Sequence, residues 1–193
     1  MRRSRDLAGL VERLSYCTYS EAYRDGLKPA QWSALRYFSN ANRISSTATA
    51  YARYQGTTLA AASQTIGVLV GKRLLKRTRD KADKRRYQLA LTAKAKRLID
   101  SDPIGVLVDA ACELGEGERE ATADGLDKIL IHLMRLKGGA IFGHCESCRF
   151  LSWAHGKGSR RRVYKCRHRA EELTVEDLEK CCVHFEFDNA GSV

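Results

Sequence analysis

The sequence predicts a mainly helical protein with one small β-hairpin, an α+β fold, and three observations carry that prediction. Apolar residues recur at three- and four-residue steps through the first 70 positions and again from 104 to 136. Between those stretches Leu75, Tyr87, Leu89 and Leu91 alternate as half-buried strands do, across a polar, basic interval with hairpin character. Hydrophobic residues make up 44% of the 193, enough for a packed core, and with only two prolines the chain is not a Pro-rich linker. No apolar run approaches the ~20 residues a membrane span needs. The start, Met1-Arg2-Arg3-Ser4-Arg5-Asp6, leads into an amphipathic stretch and not an apolar signal core, so a cytoplasmic protein is expected.

Within residues 5–23, Leu7, Leu10, Val11, Leu14 and Cys17 fall at helical spacing and predict a first amphipathic helix. Pro29 suits the first position of a second helix, with Trp32, Leu35 and Phe38 on its apolar face. A short third helix is expected over 47–54, broken by Gln55-Gly56. Thr57 or Thr58 then offers a hydroxyl to the free N–H groups of a fourth helix. Leu59, Ala62, Ile66, Leu69 and Val70 make its buried stripe. Its opposite face, with Ala60, Ala61, Gln64, Gly67, Val68 and Gly71, is small and uncharged apart from one amide. A face merely turned to solvent usually carries Lys and Glu. Small residues suit a helix that lies deep in the major groove of double-stranded DNA, where bulk would hold it off the base edges. Gln64 could pair bidentately with adenine, and Thr57, Thr58 and Ser63 could reach phosphates or bases near the helix start. The alternative is a helix packed on both faces within a core.

Charge supports the groove reading. Residues 71–97 carry 12 basic and 2 acidic side chains, net +10, against +11 for the whole chain. Residues 98–130 carry 2 basic and 9 acidic, net −7. A field so concentrated is the footprint of a polyanion, although charge runs are often only solvated faces. Here it falls on the hairpin that follows the fourth helix. Such a hairpin is a wing, with Arg79, Lys81, Lys84, Arg85 and Arg86 following phosphates or entering the minor groove.

From Leu27-Lys28-Pro29-Ala30-Gln31-Trp32 through Thr57-Thr58 and Ser63-Gln64-Thr65, across Asp83-Lys84-Arg85-Arg86 to Leu91-Thr92, the chain resembles a MarR-type winged helix-turn-helix transcriptional regulator, over about residues 5–137. The resemblance implies that Arg85 works on DNA while Asp83 braces the wing. It departs from the family pattern at Lys28, where a capping Thr is usual, and at Ala95, where a Gly is usual; both put helix ends in question more than DNA contact. The resemblance also implies a homodimer that reads a near-palindromic operator. Apolar stripes beyond the wing are consistent with one: Ile104, Leu107, Val108 and Ala111, then Leu126, Ile129, Leu130, Leu133 and Leu136. The alternative is that these helices close one subunit's core. The expected organisation is therefore an N-terminal dimerisation helix over 1–28, the winged helix over 29–97, dimerisation helices over 98–137 and a cysteine-rich module over 138–193. The acidic run would face away from DNA.

The last part opens at Gly138-Gly139 and holds five of the seven cysteines and four of the five histidines. Such clustering in a cytosolic chain argues for metal binding or redox chemistry over structural disulfides. The Cys145-x-x-Cys148 pair puts two thiolates within reach of one centre, and Cys166 with either Cys181 or Cys182 completes four soft ligands. A resemblance to the tails of some MarR-like regulators favours Cys182. A helix continuing over 177–182 from the Thr174 start signal would let only one of the two neighbours ligate. An iron–sulfur cluster ringed by Phe142, Phe150, Trp153, Tyr164, Phe185 and Phe187, a zinc ion, and a metal-free thiol switch all remain open. His144, His155, His168 and His184 read as bystanders. The run Arg160-Arg161-Arg162 with Lys165, Arg167 and Arg169 reads foremost as a solvated loop, with offset of thiolate charge or DNA contact as its other readings.

Cys17 and Cys112 read as small buried hydrophobes, with peroxide sensing at Cys17 the rival, because some MarR relatives sense through a cysteine in this helix. Nothing resembles a nucleophile–base pair, a carboxylate dyad or a phosphate-binding glycine loop, so an enzyme is not expected. The expectation is a dimeric DNA-binding regulator that senses redox or metal state through a four-cysteine centre. Its rivals are a regulator with a structural zinc that answers a small ligand or peroxide, and an RNA-binding or architectural winged helix.

Overall fold

The computed structural model describes residues 2–21, 23–79, 87–156 and 162–188. Helix α1 (Arg2–Glu21) precedes a compact group of α2 (Pro29–Asn40), α3 (Ala48–Gln55) and α4 (Leu59–Gly71). Strands β1 (Leu75–Arg79) and β2 (Tyr87–Leu91) follow, then α5 (Ala93–Ile99), α6 (Gly105–Cys112) and α7 (Glu116–Leu136). The fold class is as the sequence predicts, mostly helical with small antiparallel sheets.

Threonine hydroxyls start three of these helices. Thr47, Thr58 and Thr92 each accept a hydrogen bond from the backbone N–H three residues on, at 3.2 Å, stabilising each start by about 1 kcal/mol. Helix α2 has no such cap. Instead the backbone N–H of Lys28 donates to Gln31 Oε1 at 3.1 Å, and Pro29 removes one orphan donor. At α3 the chain stops at Gly56, whose φ of 62° lies where a side chain would be strained.

Trp32, Leu35 and Phe38 from α2, Tyr51 from α3, Ala62, Ile66 and Leu69 from α4, and Leu75 and Leu89 from the hairpin are all buried in one core. Ala95, the departure at a usual Gly, is fully buried there. Leu59 is not in it: at 51% exposure it leaves the predicted stripe, because the first residue of a helix projects past the end of its packing partners. Val70 is half-buried. Tyr87 likewise departs from the expected alternation and is 50% exposed. Replacing fully buried Leu69 by Ala is expected to cost about 3 kcal/mol, read as a lower urea midpoint at unchanged slope.

In the hairpin Leu75 pairs with Leu91 and Arg79 with Tyr87. The turn 41–46 lies alongside, since the Leu89 N–H donates to the Ser46 carbonyl at 2.8 Å. Helix α2 is tied to the α5–α6 connection by Arg36, whose Nε and Nη2 each reach a carboxylate oxygen of Asp102 at 2.7 Å. That fork is the geometry in which an ion pair is worth most.

Helices α1, α6 and α7 depart from the pattern of a single-chain core. Neither α6 nor α7 has a buried residue. Leu10, Leu14, Val108, Leu130, Leu133 and Leu136 are 45–72% exposed. Cys17 and Cys112 are exposed too, which corrects the expectation that they are buried. Helix α1 also begins and ends earlier than the 5–23 periodicity suggests.

The C-terminal part is a set of short antiparallel pieces: β3 (Gly143–His144), a 3₁₀ turn (Cys145–Ser147), β4 (Leu151–His155), β5 (Arg162–Cys166), β6 (Glu171–Leu173), α8 (Val175–Leu178) and β7 (Cys181–Cys182). β3 pairs with β7, and β4, β5 and β6 form a second sheet in that order. The helix predicted over 177–182 is corrected here. Thr174 caps it as expected, but α8 stops at Leu178 because Cys181 and Cys182 enter β7 and pair with His144 and Gly143. Among the described residues no helix is long and apolar enough to cross a membrane.

Candidate nucleic-acid interface and thiol cluster

Two places gather the predicted functional residues. The first is the outer face of α4. Ala60, Ala61, Ser63, Gln64, Gly67, Val68 and Gly71 are all exposed, so the face is as smooth as its composition implies. Gln64 stands on it with its amide in solvent. Thr57 is exposed at the helix start, while the oxygen of Thr58 is already engaged as the cap, leaving its O–H to donate outward. Arg79 leaves the end of β1 with its guanidinium 5.9 Å from the Tyr87 ring centroid. Lys81, Asp83, Lys84, Arg85 and Arg86 lie outside the described residues. The exposed ring of Tyr87 at the base of the wing is a surface feature that alternation alone assigned to the core.

The second place is the cysteine-rich module. Cys145, Cys148, Cys166 and Cys182 are each buried, and they line one small cavity together with Ile44, Phe150, Leu151 and Leu173. Leucine and phenylalanine side chains close it: Leu173, Leu178 and Phe185 are buried against the four sulfurs. Of the aromatic ring the sequence predicts, Phe150, Tyr164 and Phe185 pack here. Phe142 turns instead to Tyr54, 4.8 Å between centroids, and Trp153 and Phe187 are 52% and 40% exposed, so those three do not shield the cluster.

Hydrogen-bond donors reach three of the four sulfurs. Asn42, buried in the α2–α3 turn, donates from Nδ2 to Cys145 Sγ at 3.8 Å. The backbone N–H groups of His168 and Arg169 point at Cys166, two and three residues behind them. This turn ends at Ala170, whose φ of 53° is strained for a side chain. The Cys182 thiol is held below its usual range by the hydrogen bond from the Cys145 thiol, with help from the backbone N–H of His184 and the side chains of Asn42 and Ser45. Cys145 is pushed up by that same hydrogen bond, then by burial and by the neighbouring sulfurs of Cys182 and Cys148. Burial raises Cys166.

Cys181 lies elsewhere. Successive residues of a strand point to opposite faces, and Cys181 lines a separate pocket with Arg36, Tyr37 and Tyr54. Burial pushes it up to about 12. The two neighbours are separated by a strand and not by the helix expected. Among the described residues, no group of three or more His, Cys, Asp or Glu side chains is arranged to hold a single metal ion.

These elements define a winged helix: helices α2–α4 with a two-stranded hairpin, the smooth face of α4 outward. The model of the MarR family matches residues 25–86, spanning α2 to the wing. Among solved structures, BldR from Sulfolobus solfataricus superposes with a TM-score of 0.54 at 19% identity, covering 67% of this chain and 96% of its own. A mutant MepR from a multidrug-resistant S. aureus clinical isolate gives 0.54 at 20%, with 68% and 96% covered. The S. aureus MepR–DNA complex gives 0.51 at 22%, with 65% and 96% covered. The fold is shared with these proteins, and about a third of this chain lies beyond what they contain. No curated protein sequence matches the chain.

Proposed function

We propose that the chain is a sequence-specific DNA-binding transcriptional regulator that acts as a homodimer. The observation that carries this reading is the exposed face of α4, small and uncharged around Gln64, set directly before a basic hairpin in a winged-helix fold that also serves the DNA-bound MepR. In the reading, α4 enters the major groove and the wing, with Arg79 and the basic residues 81–86, follows the backbone. The apolar stripes on α1, α6 and α7 belong to a twofold interface, which accounts for their exposure in one chain. Selection of duplexes from a random-sequence pool by the full chain tests it. The expected result is a near-palindrome bound by a dimer; recovery of no preferred duplex would overturn the reading and favour an architectural or RNA-binding winged helix.

The second part of the proposal concerns the module. Cys145, Cys148, Cys166 and Cys182 hold a thiolate-ligated centre, and its state biases DNA affinity. Support comes from four sulfurs on one enclosed cavity and from backbone and Asn42 donors aimed at them. Tetrahedral zinc at about 2.3 Å needs the sulfurs drawn together around one point, an arrangement these side chains do not have. An iron–sulfur cluster spreads four thiolates around a larger body and needs the small cavity between the sulfurs, about 10 Å³, to open around it. Anaerobically purified protein is expected to be brown, with absorbance near ~400 nm and iron bound. Colourless protein with one zinc per chain would replace the cluster by a structural zinc.

A further inference from the structure

We propose that the cysteine-rich module is itself a second DNA-backbone contact, placed so that one duplex runs from the wing across α3 to the turn after β5. The inference rests on the DNA-binding reading above. Residues 149–169 carry eight Lys and Arg and no Asp or Glu. A solvated stretch of sequence that long ordinarily mixes signs, and this one does not.

The described part of this basic stretch is joined to the winged helix by a continuous surface. Arg149 lies 5.2 Å from the Phe150 ring, Phe150 lies 5.0 Å from His168, and His168 lies 4.9 Å from His184. His184 and Arg169 then line a groove of about 550 Å³ whose other wall is Thr47, Thr49 and Arg53 of the α3 region and Tyr87 of the wing. Arg79 stands 5.9 Å from the Tyr87 ring centroid. In a helix-turn-helix the helix before the recognition helix crosses the DNA backbone, so the start of α3 is where a phosphate strand is expected. Guanidinium groups on both sides of that start suit one continuous polyanion.

The acids that touch these cations do not cancel them. Arg149 pairs with Glu186 at 3.1 Å with both side chains more than half exposed. Arg169 approaches Glu171 at 3.6 Å, and Glu171 already bonds Arg43 at 2.7 Å. The exposed Arg149–Glu186 pair is worth about 0–1 kcal/mol and is readily exchanged for phosphate, whereas Arg169 is part-buried and offers the groove only the outer end of its guanidinium. Arg167 is exposed and donates to the Arg149 carbonyl, which fixes the turn without using up its charge.

The test is the salt dependence of affinity for the duplex that the full chain selects. The triple variant Arg149→Gln, Arg167→Gln, Arg169→Gln is expected to lower the slope of log K against log salt by about 2–3, at about 0.9 per phosphate contact, while the preferred sequence stays the same. The matched triple variant to Lys keeps the charge and is expected to keep the slope. An unchanged slope in the Gln variant would overturn the inference alone. Equal loss in the Gln and Lys variants would also overturn it, by assigning the loss to altered structure. Stronger competition by an RNA duplex of the same length than by random DNA would overturn it in favour of another polyanion. Recovery of no preferred duplex would overturn the underlying DNA-binding reading, and this inference with it.

Discussion

Cys182→Ser is expected to leave the protein without the proposed metal centre, whereas Cys181→Ala is expected to retain it. The contrast follows from the strand they share. Cys182 faces Cys145 and the cavity of four thiols, while its neighbour faces Tyr37 and Tyr54 on the other side of β7. Loss of a ligating thiolate is expected to lower bound metal per chain by more than about tenfold, since even partners behind the ligands are commonly worth 10–100-fold in affinity. Asn42→Ala, which removes the donor to Cys145, is expected to fall between the two. Metal analysis and absorbance after anaerobic purification read all three. Full occupancy in Cys182→Ser would rule out the ligand set proposed here.

The second large effect is expected on DNA. Gln64→Ala combined with Arg85→Ala should weaken binding to the selected duplex by about 100-fold or more, since a bidentate base contact is worth about 1–3 kcal/mol. Gln64 is exposed on α4 and Ala is a better helix former, so thermal stability should hold while affinity falls. Fluorescence anisotropy at fixed salt measures the loss. Affinity retained within about threefold would sink the recognition model.

The winged helix was legible because its signals are local. The hydroxyls of Thr47, Thr58 and Thr92 act within three residues of themselves, and the core stripe Ala62, Ile66 and Leu69 follows from helical period alone. Leu59 and Tyr87 leave their stripes because periodicity gives a direction but not whether anything is packed there. In the module the limits are different. A start signal at Thr174 promised a helix reaching Cys182, but the length of a helix depends on what competes for its last residues. Here the competitor is a strand nearly forty positions earlier in the chain, Gly143–His144, invisible to any local pattern. A longer separation, 103 positions, hid the role of Asn42, which sits in the α2–α3 turn and donates to Cys145.

The α2–α3 turn has one further consequence, for the order in which the chain becomes complete. Asn42 and Ser45 are fully buried, and part of what satisfies them arrives last: the carbonyl of Cys181 accepts from the Asn42 N–H at 3.0 Å, and the Val183 N–H donates to Ser45 Oγ at 2.9 Å. Val183 also fills the winged-helix core. A growing chain therefore exposes α4 and the wing long before it can close the floor beneath them. A version cut at Gly138 would keep every proposed contact with bases yet carry an open seam of unmet polar groups. The winged helix of this protein is completed by residues 181–183, well beyond the wing.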